Sequence, residues 1–207
     1  MKKIGEGYFY IVYDLGNGRV IKKRKSDWHF FIHIMQSSGF SLSEYAKAIK
    51  NAYAMPLAYK KLFSILDNHS IIGNPTFLND IEYEQDKVEL LVHTLNKKTE
   101  KEQEKIIEDY IAQIIYLWTV GCHESIFNLT VNNGLNEKGE IVMLDFNEIT
   151  FDKKAVYSDI DNKVWLKRWS FSQLSPVMKK FYAQRMEEEI TIEKLEEVWE
   201  TNKKAAS

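Results

Sequence analysis

The sequence predicts an α+β fold, with a small antiparallel β-rich N-terminal part and a helical C-terminal part, and three observations predict it. Asn17-Gly18, flanked by β-branched and aromatic residues, marks a hairpin between 10–15 and 19–24, because Asn and Gly tolerate the positive φ that tight turns require. Residues 104–120 keep an apolar stripe at helical spacing, from Ile106 and Ile107 to Leu117 and Trp118, and Gly121 closes it. After Thr150 only helix patterns follow.

A glycine turn, Ile4-Gly5-Glu6-Gly7-Tyr8-Phe9-Tyr10-Ile11-Val12, precedes the hairpin. It is not a dinucleotide fingerprint, since no helix follows, nor a Walker loop, since no Gly-Lys-Ser/Thr follows. Strand alternation then puts Val20 and Lys22 on one face and Ile21 and Lys23 on the other. The run Lys22-Lys23-Arg24-Lys25 can also be a solvated basic strand end. Residues 26–40, rich in aromatic and apolar side chains, predict a buried helix in which His29 and His33 stand at helical spacing. Ser41 and Glu44 form a capping box for a helix, and Pro56 opens another over 57–66. Gly73-Asn74-Pro75 ends that region. Strands are then expected over 76–83 and 88–95, joined by Glu84-Gln85-Asp86-Lys87, with 96–103 a charged connector.

The most informative stretch is 121–150. A polar loop ending at Asn128 leads into a short apolar strand, 129–131; a turn-rich segment, 132–139, returns the chain to a second strand, 141–144, which delivers Asp145. A carboxylate at the exit of a buried strand needs a partner, often a cation. An Asn at the entrance of one hairpin arm and an Asp at the exit of the other suit a magnesium ion carrying phosphate. Helices are expected over 152–169, from Pro176 to about Glu188, and over 192–202, the last opened by Thr191.

Composition narrows the function classes. With 207 residues, 44% hydrophobic and 13% aromatic, the chain is long enough to bury a sizeable core. No apolar run is long enough to span a bilayer and no apolar signal region follows Met1-Lys2-Lys3, so a cytoplasmic protein without a membrane partner is expected. The single Cys122 excludes an internal disulfide and a thiolate zinc cluster. A net charge of −2 gives no pull towards nucleic acid.

Taken in order, these motifs resemble the protein-kinase-like fold in a minimal or degenerate, pseudokinase-like form. The glycine turn is similar to the Gly-x-Gly-x-x-Gly-x-Val loop, with Gly5, Gly7 and Val12 in place and Tyr10 at the third glycine. The triplet Asp145-Phe146-Asn147 is similar to Asp-Phe-Gly. The resemblance implies a two-lobed protein, with an N-lobe over 1–95, a hinge over 96–103 and a helical C-lobe over 104–207. It implies ATP and Mg2+ as cofactors: Gly5, Gly7, Val12, Val20 and Lys22 for the nucleotide, and Asn128 and Asp145 for the metal. Active members pair the strand lysine with a glutamate on the next helix, where Glu44 is the only glutamate between Gly7 and Ile81. With Asn128 as the loop Asn, His123 stands five positions earlier, where an active kinase carries its catalytic Asp, so His123 or Glu124 becomes the candidate proton acceptor. Two functions follow: a phosphotransferase on an unknown acceptor, and a catalytically inactive pseudokinase that binds a protein partner. An unrelated α+β binding domain is the third reading.

Overall fold

The computed structural model describes residues 1–7, 9–38, 42–125, 127–145 and 149–201, with the backbone alone at 33–38, 42, 44, 47, 48, 51, 52 and 56. The fold is α+β and divides into two compact units: Met1–Ser64 with Gly73–Lys87, and Ile65–Ile72 with Val88–Ser207. No described helix is long and apolar enough to cross a membrane.

The first unit is built on an antiparallel sheet of five strands in the order β1-β2-β3-β5-β4. β1 is Lys2–Glu6, β2 Tyr10–Asp14 and β3 Arg19–Arg24; α1, Asp27–Ser38, and α2, Leu42–Ile65, follow before β4, Thr76–Phe77, and β5, Tyr83–Asp86. The expected hairpin is present, with Tyr13 opposite Ile21 and Val12 opposite Lys22. α2 packs on one sheet face: Tyr59 meets Tyr10 and Tyr83, and Phe63 meets Phe77 edge-on.

Three expectations are corrected here. Residues 84–86 are strand rather than turn, because Arg19 on β3 pairs with both Glu84 and Asp86 on β5 while Tyr83 and Gln85 are buried. The turn lies at 78–82 instead, where Asn79 Oδ1 accepts the backbone N–H groups of Ile81 and Glu82. α2 runs through Pro56 without a break, since a proline removes one helical hydrogen bond and Met55, Tyr59 and Leu62 remain buried along one stripe. On α1 Phe30 is buried, but Trp28 is 65% exposed, so the segment is amphipathic rather than buried throughout.

The second unit contains β6, Glu89–Leu90; α3, Leu91–Thr94; α4, Glu100–Thr119; β7, His123–Glu124; β8, Asn133–Leu135; β9, Ile141–Met143; and β10, Ile149–Thr150. Then come α5, Lys153–Asp161; α6, Trp169–Ser172; α7, Pro176–Glu189; and α8, Ile192–Val198. α4 is its axis. Ile107, Tyr110, Ile114 and Trp118 are buried against a core that includes Met178, Tyr182 and Met186 of α7 and Leu195 of α8. Each fully buried apolar side chain of this size contributes about 1.5–3 kcal/mol.

Both ends of α4 are set locally. Thr99 and Glu102 form a reciprocal capping box, so the helix starts inside the expected connector. At the other end Gly121 has φ +75°, and the N–H groups of Gly121 and Cys122 return to the carbonyls of Trp118 and Leu117. The strand expected over 88–95 is two residues of β6 followed by α3, and the one expected over 129–131 is a run of turns. β8 begins at Asn133 and lies between β6 and β9, pressed so close that a Cβ on Gly134 would stand 2.7 Å from the carbonyl oxygen of Glu89. The helix expected over 152–169 is interrupted where Lys163 takes a left-handed φ of 45°, and the last helix ends at Val198.

Candidate functional site

In the first unit one row of residues crosses the sheet. Gly5 pairs with Val12, Val12 with Lys22, and Lys22 with Tyr83. Residues opposite one another in a ladder share a face. Lys22 is 9% exposed, its ammonium 5.5 Å from the centre of the Tyr83 ring, and Val20 is buried on the same face, opposite Gln85. Lys23 pairs with Ile11 on the other face, as alternation requires. Gly7 closes the preceding turn by donating to the carbonyl of Tyr10 at 2.9 Å.

The rest of the basic run is individually partnered. Arg24 pairs with Asp27 at 2.6 Å and lies over the Tyr53 ring, and the buried Lys25 pairs with Glu6 at 2.6 Å. Lys25 first, and then Lys3, hold the Glu6 carboxyl down to about 2. Tyr10 is buried against Tyr59 and Tyr83 rather than standing over the turn. The Glu44 side chain lies outside the described atoms, as do Phe146 and Asn147; His29 shares a hydrogen bond with Ser26 at 2.8 Å.

In the second unit His123 and Glu124, expected in a loop, form β7 and pair with Thr150 and Ile149. His123 has no solvent exposure. The Trp118 indole N–H donates to its Nδ1 at 3.0 Å, which leaves the ring proton on Nε2, 3.6 Å from Asp159 Oδ2. Burial pushes the imidazole below its usual range, and Asp159 only partly opposes this, so His123 is neutral at pH 7. Glu124 is 5% exposed and accepts from Asn132 Nδ2 at 3.1 Å. Burial drives the hydroxyls of Tyr110 and Tyr182 upward, and the charge of Glu124 adds to both shifts.

The segment 128–133 is a tight, internally bonded loop. The N–H of Asn132 returns to the carbonyl of Asn128 at 3.1 Å, and the carbonyl of Asn132 accepts the N–H of Leu144 at 2.6 Å. The first bond closes the loop on itself and the second fastens it to the exit of β9, one residue before the half-buried Asp145. Asn128 uses its side-chain oxygen internally, as acceptor for the Ser170 hydroxyl. Asn133 is arranged the other way. Its Nδ2 donates to the carbonyl of Leu129 at 3.2 Å, while its Oδ1 is buried without a hydrogen-bond partner among the described residues. A buried acceptor left unmatched is costly, of the order of 1–3 kcal/mol, and an ordered water, an ion or a ligand can supply the missing partner.

Sequence reading missed Asn133, Ser170 and the tie from Trp118 to His123. A signal for Asn133 exists in Asn132-Asn133-Gly134, ahead of Leu135 and the second strand. Ser170 is recognisable only from its contacts. Among the described residues no group of three or more His, Cys, Asp or Glu is gathered as a metal site. No family model matches the chain, and no curated protein is significantly similar to it.

Proposed function

We propose that this chain is a kinase-like protein that binds a nucleoside triphosphate with magnesium and acts through that binding rather than through phosphoryl transfer. The observation that carries the reading is the unmatched Asn133 Oδ1 at the start of β8. Asn133 pairs with Met143, the last residue of β9, and Asp145 follows two residues later, so an amide oxygen at the start of β8 and a carboxylate just past the end of β9 lie close in the register. Magnesium takes oxygen ligands and needs few from protein, and an orphaned amide oxygen with a half-buried carboxylate meets that demand. Asn133 and Asp145 would hold the ion. Asn128, whose oxygen is committed to Ser170, would not. Bound magnesium would neutralise phosphate charge.

With Asn133 as the residue that closes the loop, the position five earlier is Asn128, and an amide cannot accept a proton at neutral pH. His123 and Glu124 offer no substitute, being buried in β7. In the first unit, Lys22 on the third strand, in one row with Gly5 and Val12, supports a role for that sheet face in contacting phosphate.

The test is thermal denaturation with ATP, with and without magnesium, together with ATP consumption. Wild type should be stabilised by magnesium-ATP, by about 2.7 kcal/mol at a hundred times Kd. Asp145→Ala and Asn133→Ala should lose the magnesium-dependent part. Equal stabilisation of wild type and Asp145→Ala would remove the metal assignment. Turnover above the Asp145→Ala background would show that the protein is a phosphotransferase instead.

A further inference from the structure

We infer that Ser170 is a positioning residue that holds the side-chain amide of Asn128 with its oxygen inward, so that position 128 offers N–H donors to an anionic ligand oxygen. Ser170 lies on α6 and is 2% exposed; Thr130 is 1% exposed. The Ser170 hydroxyl accepts the backbone N–H of Thr130 at 3.1 Å and the Thr130 hydroxyl at 3.0 Å, and it donates to Asn128 Oδ1. A hydroxyl has one proton and two acceptor positions. Thr130 takes both acceptor positions, so the proton goes to Asn128 and the amide atom that receives it is the oxygen.

The Asn128 nitrogen is thereby turned away from Ser170. Asn128 is half-buried, and its Nδ2 makes no hydrogen bond to a described residue. The chemistry of the position follows from this orientation. An N–H pair binds a lone pair that already carries charge, such as a phosphate or carboxylate oxygen, and cannot draw a proton from a hydroxyl. The functional meaning rests on the kinase-like reading, in which 128 is the proton-acceptor position. The tie itself does not. It spans 42 residues of sequence, and it fixes in one hydrogen-bonded unit the loop that ends at Asn133.

The test uses the full chain, with inorganic phosphate and magnesium-ATP as probes. Nuclear magnetic resonance follows the Thr130 backbone amide and the Asn128 side-chain N–H pair, assigned by its loss in Asn128→Asp. Ser170→Ala should speed exchange of the Thr130 amide at least tenfold, and Ser170→Thr, which keeps the hydroxyl, should restore it. Unchanged exchange in Ser170→Ala would overturn the tie. If that variant does not fold, Ser170→Thr and Asn128→Asp carry the test. Phosphate should shift the Asn128 pair and bind about tenfold more weakly to Asn128→Asp, which replaces a donor with a negative oxygen. A pair that moves with neither probe overturns the donor assignment, even if magnesium-ATP binds elsewhere on the protein. A phosphate response without any magnesium-ATP binding would sink the kinase-like reading and leave the present inference standing.

Discussion

Replacing His123 with Ala should damage stability, not chemistry, and the size of the effect can be worked from its surroundings. The ring is fully buried, its centre 4.7 Å from that of Phe127, and its Nδ1 is the acceptor for the Trp118 indole. Truncation leaves the Trp118 N–H buried without a partner, at a cost of about 1–3 kcal/mol. Loss of the ring adds a cavity term of roughly 1–2 kcal/mol, below the range for larger aromatic rings because the imidazole is smaller. The sum, on the order of 2–5 kcal/mol, is a large share of the stability of an ordinary domain. His123→Asn, which can place an oxygen near the Nδ1 position, should recover about 1 kcal/mol of it.

The same residue should leave a signature in acid. Its folded pKa is depressed from 6.5, so the unfolded chain binds the proton more readily. The stabilisation from neutral His123 is therefore complete above pH 6.5, declines as pH falls below that value, and levels off beneath the depressed folded pKa. Urea denaturation of wild type, His123→Ala and His123→Asn at several pH values measures both effects. A His123→Ala protein within about 0.5 kcal/mol of wild type, a change typical of surface sites, would refute the buried-clamp reasoning. So would a wild type and a His123→Asn variant with the same slope between pH 5 and 7.

Three further outcomes are expected. Gly134→Ala should destabilise the second unit by about 1–3 kcal/mol, because the new Cβ would meet backbone of Glu89 at 2.7 Å and overpacking against backbone has no cheap relief; urea denaturation again decides. The Glu6 carboxyl, held at about 2, should stay ionised at pH 4, so its pairing contribution is present above 4.5 and disappears only as pH falls through 2; a carboxyl carbon titration giving an ordinary midpoint would contradict the pairing with Lys25 and Lys3. Lys22→Ala should weaken ATP binding while Lys23→Ala leaves it within about twofold, since register puts Lys23 on the opposite face, beside Ile11; equal losses in isothermal titration would mean that the basic run acts as diffuse charge.

The sequence alone determined the features whose causes are local. The hairpin of β2 and β3 follows from its turn residues and alternation, and with it the opposite facing of Lys22 and Lys23. The stripe of α4 and its stop at Gly121, the start of α7 at Pro176 and the cap of α8 at Thr191 depend on side chains and backbone a few residues apart. Tertiary structure decided what depends on distant partners. A run as polar as Glu84-Gln85-Asp86 becomes β5 because Arg19, more than sixty residues earlier, neutralises it across the sheet. β8 starts at Asn133 rather than at Leu129 because its hydrogen-bonding partners are β6 and β9. His123 is a buried acceptor because Trp118 and Asp159 reach it from two helices, and Ser170 donates to Asn128 from a third. Short-range pattern carries turns, caps and alternation; it does not carry the identity of a hydrogen-bond partner forty residues away, which only packing supplies.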